Sequence, residues 1–329
     1  MRRRELLAVL GGGVLVSALP VRSEAQHTKR IGVLVGNGTA DYGRWRVEAF
    51  ERGLRDQGWR PGEDVQVEYR WPNGDPAASR ALAEELVGLK PDLLVATNTM
   101  ATRALRAVAG STPILFVNVT DPVAGGLVQS LSRPGGNVTG FTDMEPAIAG
   151  KWVDLLKELL PGLEMVAMIY NPDVAPYAHL YLKPFEDAGA ALGVKPHVIH
   201  VKSREDYEPA IAACGSEARC ALIVLDDGMF HQDPAFVTAI AWKHRAPAMY
   251  PTVAIVRTLG GLLAYGVNLA AMYVQSASYM DRILKGERPG ELPVQMPITF
   301  RLGINTKVAA AMGLSVPLTL LARADEVIE

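Results

Sequence analysis

The stretch IGVLVGNGTADY, residues 31–42, decides how the rest of the chain is read. Residues 31–35 are apolar at both alternating positions, which suits a parallel strand buried on both faces rather than a sheet with one wet face. Small polar residues follow, and then Val47, Phe50 and Leu54 recur at helical spacing until Gly58. Strand, polar turn and amphipathic helix make one βα unit, and the unit repeats. Residues 65–69, 92–96 and 113–117 read as strands, with helices over 78–89 and 102–108. The alternation restarts at 165–170 and runs through strands at 197–201, 221–225 and 248–251, with helices over 181–192, 205–214 and 235–243. The expected fold class is α/β: two doubly wound, Rossmann-like lobes with a ligand cleft between them.

In such sheets ligands lie at the carboxyl ends of the strands. The first unit offers Asn37, Gly38 and Tyr42, then Thr97, Asn98 and Thr99, then Asn118 and Asp121. The second offers Tyr170, Asn171, Asp226, Asp227 and Tyr250. Small polar residues here cap helices or offer hydroxyls and N–H groups to an anion. Capping alone does not call for carboxylates such as Asp121 and Asp226 beside the hydroxyls, and the mixture suits a zwitterion. Pro122 predicts a helix start with Asp121 as its N-cap. Tyr42, Tyr170 and Tyr250 stand where a ring could be stacked, while Tyr177 and Phe230 read as rim or core aromatics.

The chain opens MRRRELLAVLGGGVLVSALPVRSEAQ. A charged start, a short Gly-rich apolar stretch and Ser23-Glu24-Ala25 predict a signal peptide over residues 1–25 and export to the periplasm. Arg3-Arg4-Glu5-Leu6-Leu7 fits the twin-arginine pattern, and general secretory export is the alternative. Lys+Arg 33 against Asp+Glu 35 leaves a formal net charge of -2, with no basic block past the leader, so a nucleic-acid partner is not expected. Cys214 and Cys220, in CGSEARC, predict either a small-loop disulfide or two half-buried thiols. No GxSxG elbow, HExxH, Walker loop or Cys/His cluster occurs, so no catalytic residue, cofactor or metal is expected. The adjacent Asp226-Asp227 keeps an enzyme on the same scaffold as an alternative. His179, His231 and His244 read as surface histidines on helices, and 134–140 reads as a turn entering an interlobe crossover.

Longer stretches carry a resemblance. DPVAGGLVQSLSRPGGNVTGF at 121–141, KWVDLLKELLPGLEMVAMIYNP at 151–172, GGLLAYGVN at 260–268 and the whole of 279–329 resemble the ABC-transporter substrate-binding family that includes TrpX-type tryptophan- and tyrosine-binding proteins. The resemblance covers essentially the whole chain after the leader. It implies a type 1 periplasmic binding-protein fold, with three crossovers joining lobes that close on a small ligand. The implied ligand is an amino acid or related carboxylate, delivered by a monomer to an ABC permease in the inner membrane. Crossovers near 140–142, 265–268 and 297–299 would make lobe one of 28–141 with 268–297, and lobe two of 142–267 with 298–329. A periplasmic ligand-sensing module that signals to a membrane kinase is the alternative partner reading. Two departures, alanine in Ala264-Tyr265-Gly266 and the uncharged Tyr273-Val274-Gln275-Ser276, bear on the ligand rather than the fold. No helix-turn-helix precedes the first strand, which excludes a repressor relative.

Overall fold

In the computed structural model the described residues are 28–36, 40–217 and 219–329, the side chains of 40–43 excepted. The leader expected over 1–25 lies outside them. Strands β1 (Lys29–Leu34), β2 (Val65–Arg70), β3 (Leu93–Ala96), β4 (Ile114–Val119) and β5 (Val138–Thr142) form a parallel sheet in the order β2-β1-β3-β4-β5. A second sheet takes β6 (Met165–Tyr170), β7 (Lys195–His200), β8 (Cys220–Val224), β9 (Ala248–Tyr250), β10 (Leu263–Val267), β11 (Phe300–Asn305) and β12 (Glu326–Ile328). Its order is β12-β11-β10-β9-β8-β6-β7, and only β10 and β11 run antiparallel.

The apolar runs become strands because both faces are covered. Ile31, Val33, Leu93 and Val95 pack toward the helices Ala40–Asp56 and Leu269–Leu284, while Leu34, Leu94 and Ala96 pack toward Pro76–Gly88 and Thr99–Val108. Every residue of β3 and of β8 is buried. The second sheet repeats this, with one core around Trp152, Met168 and Ile304 and another around Ala167, Val224 and Tyr250.

Two expectations are corrected. Residues 138–142, read in part as turn, form β5, the buried edge strand beside β4. Gly140 makes that pairing possible, because a Cβ there would lie 2.1 Å from the Phe116 carbonyl oxygen. No helix begins at Pro122: residues 122–126 form a turn. Asp121 at φ 44° and Gly126 at φ 67° bend the chain out of helical geometry, and Gly125-Gly126 has little helical propensity to oppose them.

The chain crosses between the sheets after β5, after β10 and before β11, and these segments are bonded to one another. Thr142 N–H donates to Gln295 C=O and Gln295 N–H to Gly140 C=O, both at 2.9 Å, while Asn268 N–H donates to Thr299 C=O at 3.0 Å. Cys214 and Cys220 are joined as a disulfide, which ties the helix Tyr207–Ser216 to the first residue of β8.

Candidate functional site

At the carboxyl ends of the first sheet, most candidate side chains serve the backbone. Thr97 is buried, and its Oγ1 accepts the Gly36 N–H at 3.0 Å. Asn98 caps the helix that Thr99 opens, its Oδ1 accepting the Ala101 N–H at 2.8 Å. Gly36 packs so closely on that amide that a Cβ would lie 2.1 Å from Asn98 Oδ1. Asn118 stands at φ 64°, where the register of β4 and β5 slips between Val117 and Val119. Such left-handed positions tolerate a short polar side chain better than a branched one. Asp121 Oδ1 accepts the Ala124 N–H at 3.0 Å, so this carboxylate closes a turn where a helix cap was expected. Asn37 and Gly38 lie outside the described residues, as does the side chain of Tyr42.

The second sheet turns most of its candidates inward. Tyr170 is buried, with its hydroxyl 3.1 Å from His200 Nε2, and Tyr250 is 1% exposed and stacks on Phe230 in the core. Asn171 Oδ1 accepts the Asp173 N–H at 2.9 Å within a turn. Asp227 is buried; its Oδ2 accepts the Asn171 N–H and its Oδ1 the Met229 and Phe230 N–H groups, each at 2.8 Å. Three charge-assisted bonds occupy this carboxylate and fasten the loop after β8 to the end of β6. Asp226 and Asp227 therefore do not form an acid/base pair, since one faces solvent and the other the protein interior.

Asp226 keeps 46% of its side chain accessible, and its Oδ1 lies 2.5 Å from His231 Nε2. His231 is exposed, as expected, on the 3₁₀ helix Phe230–Gln232, but it is paired, and the Asp226 charge raises its pKa to about 9. Burial pushes the Asp226 carboxyl up, but the His231 charge and contact outweigh it and hold the group below its ordinary value. Tyr177 donates its hydroxyl to the Asp226 carbonyl. Asp143 stands in the crossover after β5, where the Thr120 hydroxyl donates to its Oδ2 at 3.1 Å and its Oδ1 is buried with no partner. Burial, and next the nearby Asp226 charge, push the Asp143 carboxyl up to about 6. Beside the two acids stand Tyr177 and Tyr181, the latter stacked on Trp152 at 5.9 Å.

On the first-sheet side, the Tyr273 hydroxyl and Arg46 Nη1 are buried and lack hydrogen-bond partners among the described residues. The Thr97 hydroxyl and the Arg46 guanidinium face the Tyr273 phenol, and the Asp143 charge is felt there too. Three of the five buried orphan atoms among the described residues are Arg46 Nη1, Asp143 Oδ1 and Tyr273 Oη, and the Tyr273 phenol feels both the Arg46 and the Asp143 charge. A fourth, Asp226 Oδ1, meets only the His231 ring. Native proteins leave few such groups unpaired, which makes these atoms candidates for completion by a ligand.

Pattern reading passed over Arg46 and Asp143, set Tyr177 aside as a rim or core aromatic and His231 as a surface histidine, and reached Tyr273 only as a departure from the resembled family. One signal was available: Asp143 is an acid set directly after the buried strand Val138–Thr142. The others stand in helices or turns whose apolar spacing says nothing about the cleft. Chemically, Asp143 lies within reach of the Asp226–His231 pair on one side and of the Tyr273 phenol beside Arg46 on the other, a mixture of charges that suits a small ligand carrying both signs. Among the described residues no group of three His, Cys, Asp or Glu side chains could hold a metal ion, and no helix is long and apolar enough to cross a membrane.

Comparison with known proteins gives a consistent result. The family model described as ABC transporter substrate binding protein matches residues 42–328. A tyrosine-binding protein of Clostridioides difficile is 24% identical over 275 residues, covering 83% of this chain and 77% of that protein. The ABC domain in complex with L-Trp from Streptococcus pneumonia superposes with a TM-score of 0.77 at 24% identity, covering 92% of this chain and 100% of that one. A conserved domain protein from Vibrio cholerae O1 biovar El Tor gives 0.76 at 28% identity, covering 91% and 99%. The fold is that of the two-lobed type 1 periplasmic binding proteins.

Proposed function

The chain belongs to the ABC transporter substrate-binding protein family, and on that premise we propose that it is the exported, non-enzymatic solute receptor of an importer that captures an amino acid between its lobes. The observation that carries this reading is the set of buried orphan atoms around Asp143 and Asp226. Two carboxylates that draw on no lysine or arginine leave room for an ammonium between them, and the neighbouring tyrosines offer ring surface to an apolar side chain. The tyrosine and tryptophan named for two relatives point to an aromatic amino acid. The leader expected at 1–25 supports a periplasmic receptor that, as a single chain closed on its ligand, meets an inner-membrane permease. Lobe one takes 28–141 with 268–297, and lobe two 142–267 with 298–329. Closure follows from differential affinity, because contacts from both lobes exist together only in the closed state.

Mass spectrometry of what the denatured, freshly purified protein releases, followed by a thermal-shift panel of amino acids and amine-free aromatic acids, tests the reading. The expected result is an unmodified amino acid that raises the melting temperature, with stabilisation of about 2.7 kcal/mol at a hundredfold excess over Kd. A panel in which no amino acid shifts the transition, or a released ligand that the protein converts on incubation, would sink it.

A further inference from the structure

The orphan atoms of the cleft are not all acceptors. Tyr273, on the helix Leu269–Leu284, is 1% exposed, yet its hydroxyl has no partner among the described residues. The Thr97 hydroxyl, whose Oγ1 accepts the Gly36 N–H, faces it and can complete only one side of the phenol. The other group facing it is the Arg46 guanidinium, whose Nη1 is also buried and unpartnered. An indole, rather than an acid, steadies that guanidinium: its carbon lies 4.6 Å from the Trp45 ring centroid, and Trp45 in turn packs edge-on against Tyr273 at 5.7 Å. A buried cation and a buried phenol, side by side and both incomplete, are donors awaiting an acceptor, and a guanidinium fork matches a carboxylate.

We infer that Arg46 and Tyr273 form the carboxylate-binding pole of the cleft, so that an α-amino acid spans from them to Asp143 and Asp226. The inference rests on the amino-acid reading and gives the ligand a direction. Its anionic end docks on helices packed against the first sheet, and its ammonium is completed from the crossover and the second sheet. Because the guanidinium already lies on a ring and the phenol is held in the core, little side-chain freedom is lost when the carboxylate arrives. An analogue lacking the carboxylate leaves both donors buried and incomplete.

The test is calorimetric titration of the full chain with the best binder of the amino-acid panel, L-tryptophan and L-tyrosine first, and with its carboxamide. The wild-type protein should prefer the acid by about tenfold or more, as loss of a charge-assisted pair implies. Arg46→Gln should weaken the acid by about tenfold while leaving the carboxamide within about threefold, so that the preference collapses. Tyr273→Phe, which keeps the ring packed on Trp45, should narrow the preference by several-fold and guards against misfolding of the first variant. A wild-type protein that binds acid and carboxamide alike, or an acid preference that survives in both variants, overturns the assignment and leaves the amino-acid reading standing. Failure of every amino acid to bind the wild-type protein removes that reading, and the pole with it.

Discussion

The carboxyl ends of the two sheets furnish their polar groups differently. In the first sheet, the polar residues that end the strands mostly hold backbone: Thr97 receives Gly36, Asn98 caps a helix, and Asp121 closes a turn. Unpaired polarity on that side comes from Arg46 and Tyr273, which are carried by helices rather than by strand ends. In the second sheet, a strand end supplies an open charge directly, yet its sequence neighbour does the opposite. Asp226 faces solvent and His231, whereas Asp227 faces inward onto three N–H groups. A carboxylate at a strand end is therefore not a site residue by position; what matters is how many backbone donors already occupy it.

The strongest way to break this contrast is to exchange the roles of the adjacent acids. Asp227→Ala leaves the Asn171, Met229 and Phe230 N–H groups without their acceptor and should destabilise the fold by about 3 kcal/mol, read by chemical denaturation. Asp226→Asn should change stability far less, because both members of its ion pair are half-exposed. Equal losses in the two variants would erase the distinction.

Affinity should follow the reverse order. Asp143→Asn and Asp226→Asn should each weaken amino-acid binding by about thirtyfold, the loss of one bond to a charged group, whereas a folded Asp227→Asn should bind nearly as wild type. The unliganded melting temperature of Asp143→Asn should not fall near neutral pH. Folding raises the Asp143 pKa to about 6, so its ionised form opposes folding above the ordinary carboxylate range, and asparagine removes that penalty.

The same shift fixes a pH dependence. With the Asp143 pKa at about 6, an ammonium must displace a proton from this group below that pH. Affinity should therefore fall by about tenfold from pH 7 to pH 5. Asp226, held low, and His231, raised to about 9, keep their charge across this window and do not contribute. Calorimetry at the two pH values should give this drop in the wild-type protein and a flat response in Asp143→Asn. A drop that persists in the variant would assign the proton elsewhere.

The smallest effect sharpens the first-sheet half of the comparison. Asp121→Ala loses one acceptor bond to Ala124 N–H and should cost about 1 kcal/mol in unfolding with unchanged affinity. A loss of binding beyond about threefold would return Asp121 to the ligand.

The architecture was legible because a doubly covered parallel strand leaves an unmistakable apolar run, as at 31–35 and 221–225. Resemblance over 279–329 implied the closing segments that pattern reading left unassigned, among them β11 and β12. β5 was obscured because Val138-Thr-Gly-Phe-Thr142 has two threonines and a glycine, and only the approach of Phe116 explains the glycine. The site was legible in location but not in membership. Asn, Thr and Asp at strand ends look alike whether they bind backbone or ligand, and the number of N–H groups converging on Asp227 exists only in three dimensions. Arg46 and Tyr273 are 227 positions apart in the chain, and no local pattern links a cation on one helix to a phenol on another.

The hydrogen bonds among the crossovers set how the molecule can move. Two bodies joined by a single string may twist, slide and splay independently, but Gln295 is laced to Gly140 and Thr142, and Asn268 to Thr299. Three strings laced into a strap should resist torsion and shear more than free strings do, and rotation about the strap's own line is then the softest motion expected. Opening then has a single coordinate, an angle, and a body that touches both lobe faces reads that angle rather than the ligand itself. A solute of the wrong length, though gripped at both charged ends, would present the wrong angle.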